Sequence, residues 1–86
     1  MKLQFTETGW VHYRHWQATE PRLLGKINQL IEDCRRNPYS GIGKPEALRG
    51  SLAGWWSRRI SDEHRLVYRV DGDALIIAQC RFHYSK

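Results

Sequence analysis

Apolar residues recur with two different periods along this chain, and the periods divide it into helices followed by strands. After Pro21 they recur every three or four positions, which predicts an amphipathic helix with one buried face. That face comprises Leu23, Leu24, Ile27, Leu30, Ile31 and Cys34, and the opposite face comprises Arg22, Lys26, Gln29, Asp33 and Arg36. Pro21 suits a first helical turn with Thr19 as the candidate cap, and Asn37-Pro38 ends the helix.

A shorter helix is predicted before this one, after a short alternating strand over residues 2–6. Trp10, Tyr13 and Trp16 lie three residues apart and would share one helical face. Thr6 is the candidate N-cap, because a threonine hydroxyl can accept a hydrogen bond from the first helical turn. Two consecutive helices are therefore predicted in the first half of the chain.

The second half of the chain has the two-residue alternation typical of β-strands. It predicts strands at about 52–60, 65–70 and 74–83, with Ser51–Gly54 a candidate for a further short strand. Asp71-Gly72 signals a tight hairpin between the last two strands. The order βααβββ predicts an α+β fold, in which two N-terminal helices cover one face of a mainly antiparallel sheet of about four to five strands.

The register of the last hairpin decides which side chains share a face. The core positions suggested by the apolar pattern are Leu66, Tyr68 and Val70 in one strand and Ile76, Ala78, Cys80 and Phe82 in the other. Arg65 and His83 then share the open face if Val70 pairs with Ala74. Pairing of Val70 with Asp73 would separate them, unless a bulge corrects the register. The apolar pattern favours the first pairing.

Composition narrows the class of protein. Eighty-six residues suffice for one domain, residues 1–86, with one modest core. The formal charge of +5 suggests a polyanionic partner, although many small proteins are basic. Four Trp and four Tyr add faces that can stack on unpaired bases, while most of these rings should belong to the core. We expect no membrane segment and no secretory signal, because no long apolar run is present.

The cysteines and histidines favour neither a disulfide scaffold nor a metal site. Cys34 and Cys80 fall on apolar faces of predicted elements, which indicates buried thiols in a reducing cytosol, with a structural disulfide as the minor alternative. His12 and His15 lie three apart but lack a third ligand, so we place them on a solvated helix face. We therefore expect no metal and no cofactor.

Candidate chemistry lies in the longest loop and near the C-terminus. Residues 38–50 contain two Pro and three Gly, and this loop carries Glu46. Metal-free RNA cleavage needs a base for the 2′-hydroxyl, an acid for the 5′-oxygen and cations for the phosphorane charge. Glu46 could supply the base and His83 the acid, since histidine holds and releases a proton near neutrality. The guanidinium of Arg65 suits a phosphate.

Each of these residues also has a plainer interpretation. Taken alone, Glu46 would be a solvent-exposed glutamate and His83 a terminal surface histidine. Tyr84 would be a ring capping the edge of the sheet. Arg65 would form a cross-strand ion pair, for which the candidate partners are Asp62, Glu63 and Asp73.

Several segments of the chain closely resemble the YoeB toxins of the RelE superfamily. They are Gly43-Lys44-Pro45-Glu46, Trp56-Ser57-Arg58-Arg59-Ile60, Glu63-His64-Arg65-Leu66-Val67-Tyr68 and Arg81-Phe82-His83-Tyr84. The resemblance covers nearly the whole chain and implies a RelE-like microbial RNase fold. It also implies a ribosome-dependent mRNA endoribonuclease that cuts without a metal, leaves a 2′,3′-cyclic phosphate and stops translation. The alternatives are a non-catalytic RNA- or ribosome-binding module with the same fold, and a translation-independent RNase.

The resemblance assigns roles to individual residues. It implies that Glu46 is the general base, that His83 protonates the leaving group, and that Arg65 binds phosphate at the active site. Tyr84 would orient the phosphate or stack on a base. Second-tier candidates for the path of the RNA are Lys44, Arg49, Arg59 and Arg81.

The resemblance also implies partners and a location. It implies a cytoplasmic homodimer that acts on the ribosome and mRNA, is blocked by an acidic YefM-type antitoxin, and reaches operator DNA through that antitoxin. Two departures from the family pattern stand out. Ser85 and Lys86 extend past the tyrosine at which the resembling toxins tend to end, and Ala47 and Arg49 replace an expected Pro and Lys.

Overall fold

The protein folds as a five-stranded mixed sheet with two helices on one face, as seen in a computed structural model that describes residues 1–84. The strands are β1 (Lys2–Phe5), β2 (Glu46–Ala47), β3 (Trp56–Arg59), β4 (Arg65–Asp71) and β5 (Ala74–Gln79), and the helices are α1 (Glu7–Thr19) and α2 (Pro21–Arg36). The sheet order is β1-β5-β4-β3-β2. β1 runs parallel to β5, and the other neighbours are antiparallel. The α+β prediction is confirmed.

α1 begins where the sequence predicts and lies close against the sheet. The hydroxyl of Thr6 accepts a hydrogen bond from the Gly9 amide at 3.1 Å, which confirms Thr6 as the N-cap. A Cβ atom at Gly9 would collide with the carbonyl oxygen of Ile77 in β5. The absence of a side chain at Gly9 therefore allows α1 to approach the sheet this closely.

α2 begins at Pro21 as predicted, but its cap differs. Glu20 is the N-cap residue and makes no capping bond with its side chain. The hydroxyl of Thr19 instead donates to the carbonyl of His15, 2.8 Å away, within α1. The Thr19 cap was therefore wrong, because α1 continues through that residue and leaves a single residue between the helices.

The core lies between the two helices and the covered face of the sheet. The buried cluster comprises Trp16 from α1, Ile27, Leu30, Ile31 and Cys34 from α2, and Ile60, Leu66, Tyr68, Leu75, Ile77 and Cys80 from the sheet half. The predicted stripe of α2 is confirmed, with Leu23 and Leu24 partly buried at its start. Trp10 differs from Trp16, because 45% of its surface remains exposed. Within residues 1–84 neither helix is long and apolar enough to cross a membrane.

Both cysteines are buried free thiols, so the disulfide alternative was wrong. Burial raises the pKa of Cys34 to about 11 and that of Cys80 to about 12. Both groups therefore stay neutral at physiological pH, and a neutral thiol packs as a small apolar side chain.

The strand boundaries differ from the predicted ones in three places. β3 begins at Trp56 instead of 52, because Gly50–Leu52 forms a 3₁₀ turn. The candidate strand over Ser51–Gly54 was therefore wrong. β5 ends at Gln79 instead of 83. β2 (Glu46–Ala47) lies inside the predicted loop, where two residues are too few to show any periodicity.

The β4–β5 hairpin uses neither of the two pairings considered from sequence. Asp71 pairs with Ala74, and Val70 pairs with Leu75. A bulge then shifts the register, because Tyr68 pairs with Ile77 whereas Val67 pairs with Gln79. One extra residue on β5 reverses the facing of every side chain beyond it.

The bulge changes which residues of β5 belong to the core. Leu75 and Ile77 precede it and are fully buried, and Cys80 follows it and is also buried. Placing Ile76 and Ala78 on the core face was therefore wrong. The prediction assumed that side chains alternate without interruption along the whole strand, and the bulge interrupts this alternation. Cys80, just after the strand, was assigned correctly, since the bulge restores the expected parity there. Placing Phe82 on the core face was wrong, because 53% of its surface is exposed.

Candidate active site

One small cavity on the open face of the sheet collects six of the eight residues that the sequence singles out. Its volume is about 230 Å³, and its lining residues are Lys44, Glu46, Ser57, Arg59, Arg65, His83 and Tyr84. Glu46 pairs with Ser57 across β2 and β3, and Arg59 pairs with Arg65 across β3 and β4. Directly paired residues project from the same face. The sheet therefore presents one carboxylate and two guanidinium groups side by side.

The segment that carries Lys44 and Glu46 is fixed by a contact with β3. The Arg59 amide donates to the carbonyl of Gly43 at 2.7 Å. Gly43 has φ +78°, and a Cβ there would collide with the Leu30 side chain. Lys44 has φ 53°, which costs a non-glycine residue about 1–2 kcal/mol. This backbone shape is therefore maintained by the packing around it.

A buried guanidinium, which no pattern in the sequence predicted, holds the loop before this segment. Arg58 is fully buried, and its Nε donates to the Tyr68 hydroxyl at 3.2 Å. One terminal nitrogen binds Asp33 Oδ2 in an ion pair. The two terminal nitrogens also donate to the main-chain carbonyls of Asn37, Ser40 and Ile42 at 2.6–2.9 Å. Asp33, which the sequence pattern placed opposite the apolar stripe of α2, is only partly exposed because it binds this guanidinium.

The charges of this buried cluster are stable at physiological pH. The hydrogen bond from Arg58 is the main reason that the pKa of Asp33 lies below its ordinary value. Burial lowers the pKa of Arg58, but its hydrogen bonds to Tyr68 and Asp33 outweigh this and raise it overall. Burial raises the pKa of Tyr68 to about 12, so this hydroxyl keeps the proton that it donates to the Pro38 carbonyl at 2.6 Å.

The guanidinium group of Arg65 is held by main-chain carbonyls of the preceding loop. One guanidinium nitrogen donates to the carbonyls of Ser61, Asp62 and His64 at 2.6, 3.3 and 3.1 Å. The ion pairs among residues 1–84 do not include Arg65. The cross-strand ion pair was therefore wrong, and the anchored side chain lines the cavity without an ion-pair partner among residues 1–84.

The C-terminal pair reaches the cavity from the end of β5. The Tyr84 hydroxyl donates to Glu46 Oε1 at 3.4 Å. This hydrogen bond connects the C-terminal segment to β2. The rings of His83 and Tyr84 have centroids 4.4 Å apart, and His83 Nδ1 lies 3.3 Å from the Tyr84 carbonyl oxygen. His83 is exposed, so its ring is accessible to a bound molecule.

The remaining two candidates lie outside this cavity. Arg49 lines a neighbouring groove of about 580 Å³ that shares Glu46 and Tyr84 with it. Arg81 stacks its guanidinium on the ring of Phe82, 4.4 Å from the centroid, and is not brought to the cavity. Ser57 is a lining residue that sequence reasoning missed. Its position two residues before Arg59 in an alternating strand was the available signal.

The cavity is strongly cationic. Three of its side chains carry a positive charge, Lys44, Arg59 and Arg65, and Glu46 is its one carboxylate among the lining residues. With histidine neutral, three positive charges and one negative charge leave a net +2. Such a site attracts phosphate, and it places a carboxylate and an imidazole within the same small volume.

Known proteins share both the sequence and this fold. The chain is 56% identical to Toxin YoeB of Escherichia coli K12 over 98% of this chain and the whole of that protein. The solved YoeB/ParE toxin from Agrobacterium tumefaciens is 53% identical over 98% of this chain and 100% of its own, with a TM-score of 0.95.

Solved structures of YoeB from Staphylococcus aureus also resemble this chain in sequence and fold. A heterotetrameric YoeB–YefM toxin–antitoxin complex and a YoeB dimer each match 98% of both chains with 41% identity and a TM-score of 0.90. Residues 5–84 match the family model of the YoeB-like toxin of bacterial type II toxin–antitoxin systems. The resemblance seen in the sequence is thereby confirmed, and this chain belongs to the YoeB-like toxins.

Proposed function

We propose that the protein is an mRNA endoribonuclease that cuts the message on the ribosome and so inhibits translation. The observation that carries the proposal is the shared cavity. Its volume is about 230 Å³, and its lining includes Glu46, Arg65, His83 and Tyr84. A non-catalytic binding module would need the cations but neither a base nor an acid. The presence of both proton-transfer groups at one phosphate-sized site favours catalysis.

The reaction that fits these groups is attack by the 2′-oxygen on the adjacent phosphate. Glu46 takes the 2′-hydroxyl proton, and the new bond between the 2′-oxygen and phosphorus closes a five-membered ring. His83 gives its proton to the 5′-oxygen as the bond from phosphorus to that oxygen breaks. The products are a 2′,3′-cyclic phosphate and a 5′-hydroxyl, and no metal is needed because side chains move both protons.

The cations stabilise the crowded phosphorane. Arg65 can hold two of its oxygens with a planar fork, and its anchored guanidinium keeps that fork in place. Lys44 and Arg59 add charge from the other walls of the cavity. The Tyr84 hydroxyl, within hydrogen-bond distance of Glu46, orients the base and the phosphate. Preorganised charge of this kind is usually the largest contribution to such catalysis.

The small size of the cavity supports dependence on the ribosome. A cavity of about 230 Å³ is smaller than most ligand pockets, which span roughly 300–1,000 Å³. It can contact a phosphate and few other groups of an RNA chain. An external scaffold would hold the mRNA in the bent geometry that in-line attack requires, and we assign that role to the decoding site of the ribosome.

We further propose that this single toxin domain, residues 1–86, forms a homodimer and is inhibited by an acidic YefM-type antitoxin. The solved Staphylococcus aureus relatives, a dimer and a YoeB–YefM heterotetramer, support this assembly. The net charge of +5 supports an acidic partner that competes with mRNA for the cationic face. Contact with operator DNA is made by the antitoxin within the complex.

Mapping of mRNA ends in a purified translation system tests the function. We expect the wild-type protein to cut ribosome-bound message, and Glu46→Ala and His83→Ala to cut about 10²–10⁴-fold more slowly while still binding ribosomes. Near wild-type rates in both variants would overturn the assigned roles. Binding without cleavage by the wild type would show a non-catalytic module, and equal cutting of naked RNA would show a translation-independent RNase.

A further inference from the structure

Between the end of β5 and His83, the backbone groups of Cys80–Phe82 form hydrogen bonds mainly with side chains. β5 ends at Gln79, so Cys80 to Phe82 have no full strand partner. The carbonyl of Cys80 accepts from the indole nitrogen of Trp16 at 2.8 Å, and that of Phe82 accepts from the Arg65 amide at 3.0 Å. The segment is therefore fixed by contacts with several different elements.

Two histidines bind the amide groups of the same segment. Nδ1 of His12, on α1, accepts the Cys80 amide at 3.2 Å. Nδ1 of His64, in the loop before β4, accepts the Phe82 amide at 2.8 Å. The Phe82 ring lies near both imidazoles, with centroid distances of 5.8 Å to His12 and 6.3 Å to His64. The assignment of His12 to a solvated helix face was therefore wrong.

This segment needs external support because its backbone is strained. Phe82 has φ 65°, in the left-handed region that bulky side chains avoid. Such a conformation costs about 1–3 kcal/mol and persists only where surrounding contacts impose it. Half of the Phe82 side chain is exposed, so burial of its ring supplies little of that support. His83 follows directly, and any relaxation at Phe82 would move its imidazole.

We propose that His12 and His64 are positioning residues that hold the backbone of Cys80–Phe82 and thereby aim His83 into the cavity. The inference rests on the proposed role of His83 as the general acid. It assigns no contact with RNA to His12 or His64. Their task is to accept hydrogen bonds, which a neutral imidazole does at the nitrogen that carries no proton.

The surroundings favour the neutral form at His12. Burial, Arg81, His15 and His64 together lower the pKa of His12, with burial the largest cause. A protonated imidazole would carry N–H groups on both nitrogens and could not accept from Cys80. The hydrogen bonds from the Cys80 and Phe82 amides require an Nδ1 without a proton, so the neutral ring that accepts them carries its proton on Nε2.

Paired substitutions separate hydrogen bonding from bulk. Asparagine places a carbonyl oxygen close to the position of Nδ1 and retains the acceptor, whereas leucine removes it. We expect His64→Leu to slow single-turnover cleavage on programmed ribosomes by about 10- to 100-fold with unchanged ribosome affinity, because small displacements of a reacting group cost that much. His64→Asn should recover most of the rate, and the corresponding His12 pair should show the same order with smaller changes.

His15 provides the matched control on the same helix. Its ring packs edge-on against Trp16, 4.8 Å between centroids, and its carbonyl accepts from Thr19. His15→Leu should leave the cleavage rate within about twofold, because the His15 ring makes no hydrogen bond to Cys80–Phe82 among residues 1–84 and leucine keeps an apolar contact with Trp16. Equal rates for the Leu and Asn variants at both His12 and His64 would overturn the proposal.

A spectroscopic measurement tests the contacts independently of activity and of variant stability. Nitrogen-15 spectra of the wild-type protein should show Nδ1 of both rings unprotonated at neutral pH. The Cys80 and Phe82 amide signals should shift as the respective ring is protonated on acidification. A proton on Nδ1 of either ring at neutral pH would refute that ring's role. If both contacts are present but the wild-type protein does not cleave mRNA, the proposed function fails, whereas the hydrogen bonding of Cys80–Phe82 by His12 and His64 is confirmed.

Discussion

Arg58 and Arg59 are neighbours in β3, yet they belong to two different regions of the molecule. Arg58 faces the helices, is fully buried and has its guanidinium bonded to five acceptors. Arg59 faces the open side, is exposed and lines the cavity. The same side chain thus serves as internal scaffold at one position and as solvent-facing charge at the next. Strand alternation alone makes the difference.

The two regions are linked through the loop between α2 and β2. The buried guanidinium fixes the carbonyls of that loop, and the Arg59 amide fixes Gly43 just before Lys44. A buried charge is tolerated because every donor has a partner, whereas the exposed charges remain available to a ligand. Stability should therefore depend on the buried region and phosphate recognition on the open one.

The largest effect should separate Arg58→Met from Arg59→Met. We expect Arg58→Met to lower the free energy of unfolding by about 3 kcal/mol or more, because it leaves Asp33 and several buried carbonyls without their donor. Arg59→Met should change it by about 0.5 kcal/mol or less while still slowing cleavage. Urea unfolding of the two variants is the measurement, and equal losses would erase the distinction between the regions.

The next effect concerns the geometry of the open face. Arg65→Lys keeps the charge but removes the planar fork, and hydrogen bonds to charged groups are worth roughly 1.5–3 kcal/mol. We expect single-turnover cleavage to fall by about 10- to 100-fold, together with a modest fall in melting temperature, because lysine cannot keep all the main-chain hydrogen bonds of Arg65. Wild-type cleavage by this variant would show that Arg65 contributes only long-range charge.

Salt should act on the open region and spare the buried one. Raising the salt concentration from about 0.05 to 0.5 M shortens the Debye length severalfold. Association with the acidic antitoxin should then slow by about tenfold or more, while dissociation changes less, since charge mainly governs encounter. Stopped-flow mixing with a YefM-type antitoxin measures both rates. A salt-independent association rate would remove the cationic face from the recognition.

The smallest effect should appear at alkaline pH and come from the buried region. Folding raises the pKa of Cys34 from 9.0 to about 11. The unfolded chain therefore loses this proton at lower pH than the folded one, so stability is fully present below pH 9.0 and is lost as pH rises toward 11. We expect the Cys34 proton to account for a loss of about 1 kcal/mol between about pH 8 and 10, with Cys80 adding a loss of the same sign because burial raises its pKa to about 12. The slope should be shallower in Cys34→Ala, and an unchanged slope would contradict the assignment.

Sequence periodicity predicted the elements that are long enough to repeat. The stripe of α2 and the cap at Thr6 were confirmed, because both depend on residues a few positions apart. The resemblance pointed to Glu46, Arg65, His83 and Tyr84, and the fold brings them to one cavity. Their catalytic roles stay predictions.

Other features depend on contacts between distant parts of the chain. β2 is two residues long and exists because β3 lies beside it. The ion pair of Asp33 with Arg58 spans 25 positions, and the bond from Cys80 to His12 spans 68. No local pattern encodes such pairs, so the sequence predicted neither the partner of Asp33 nor that of His12.

The sequence by itself determined the helices, the class of fold, the family and the residue types available for chemistry. The tertiary structure decided which of those residues meet. One extra residue in β5 changes the parity of the strand, and a segment outside the sheet carries His83 to the cavity. The face on which a strand residue lies, and the residues that meet across the fold, depend on strand pairing and on the packing of distant elements. A local sequence pattern does not specify either of them.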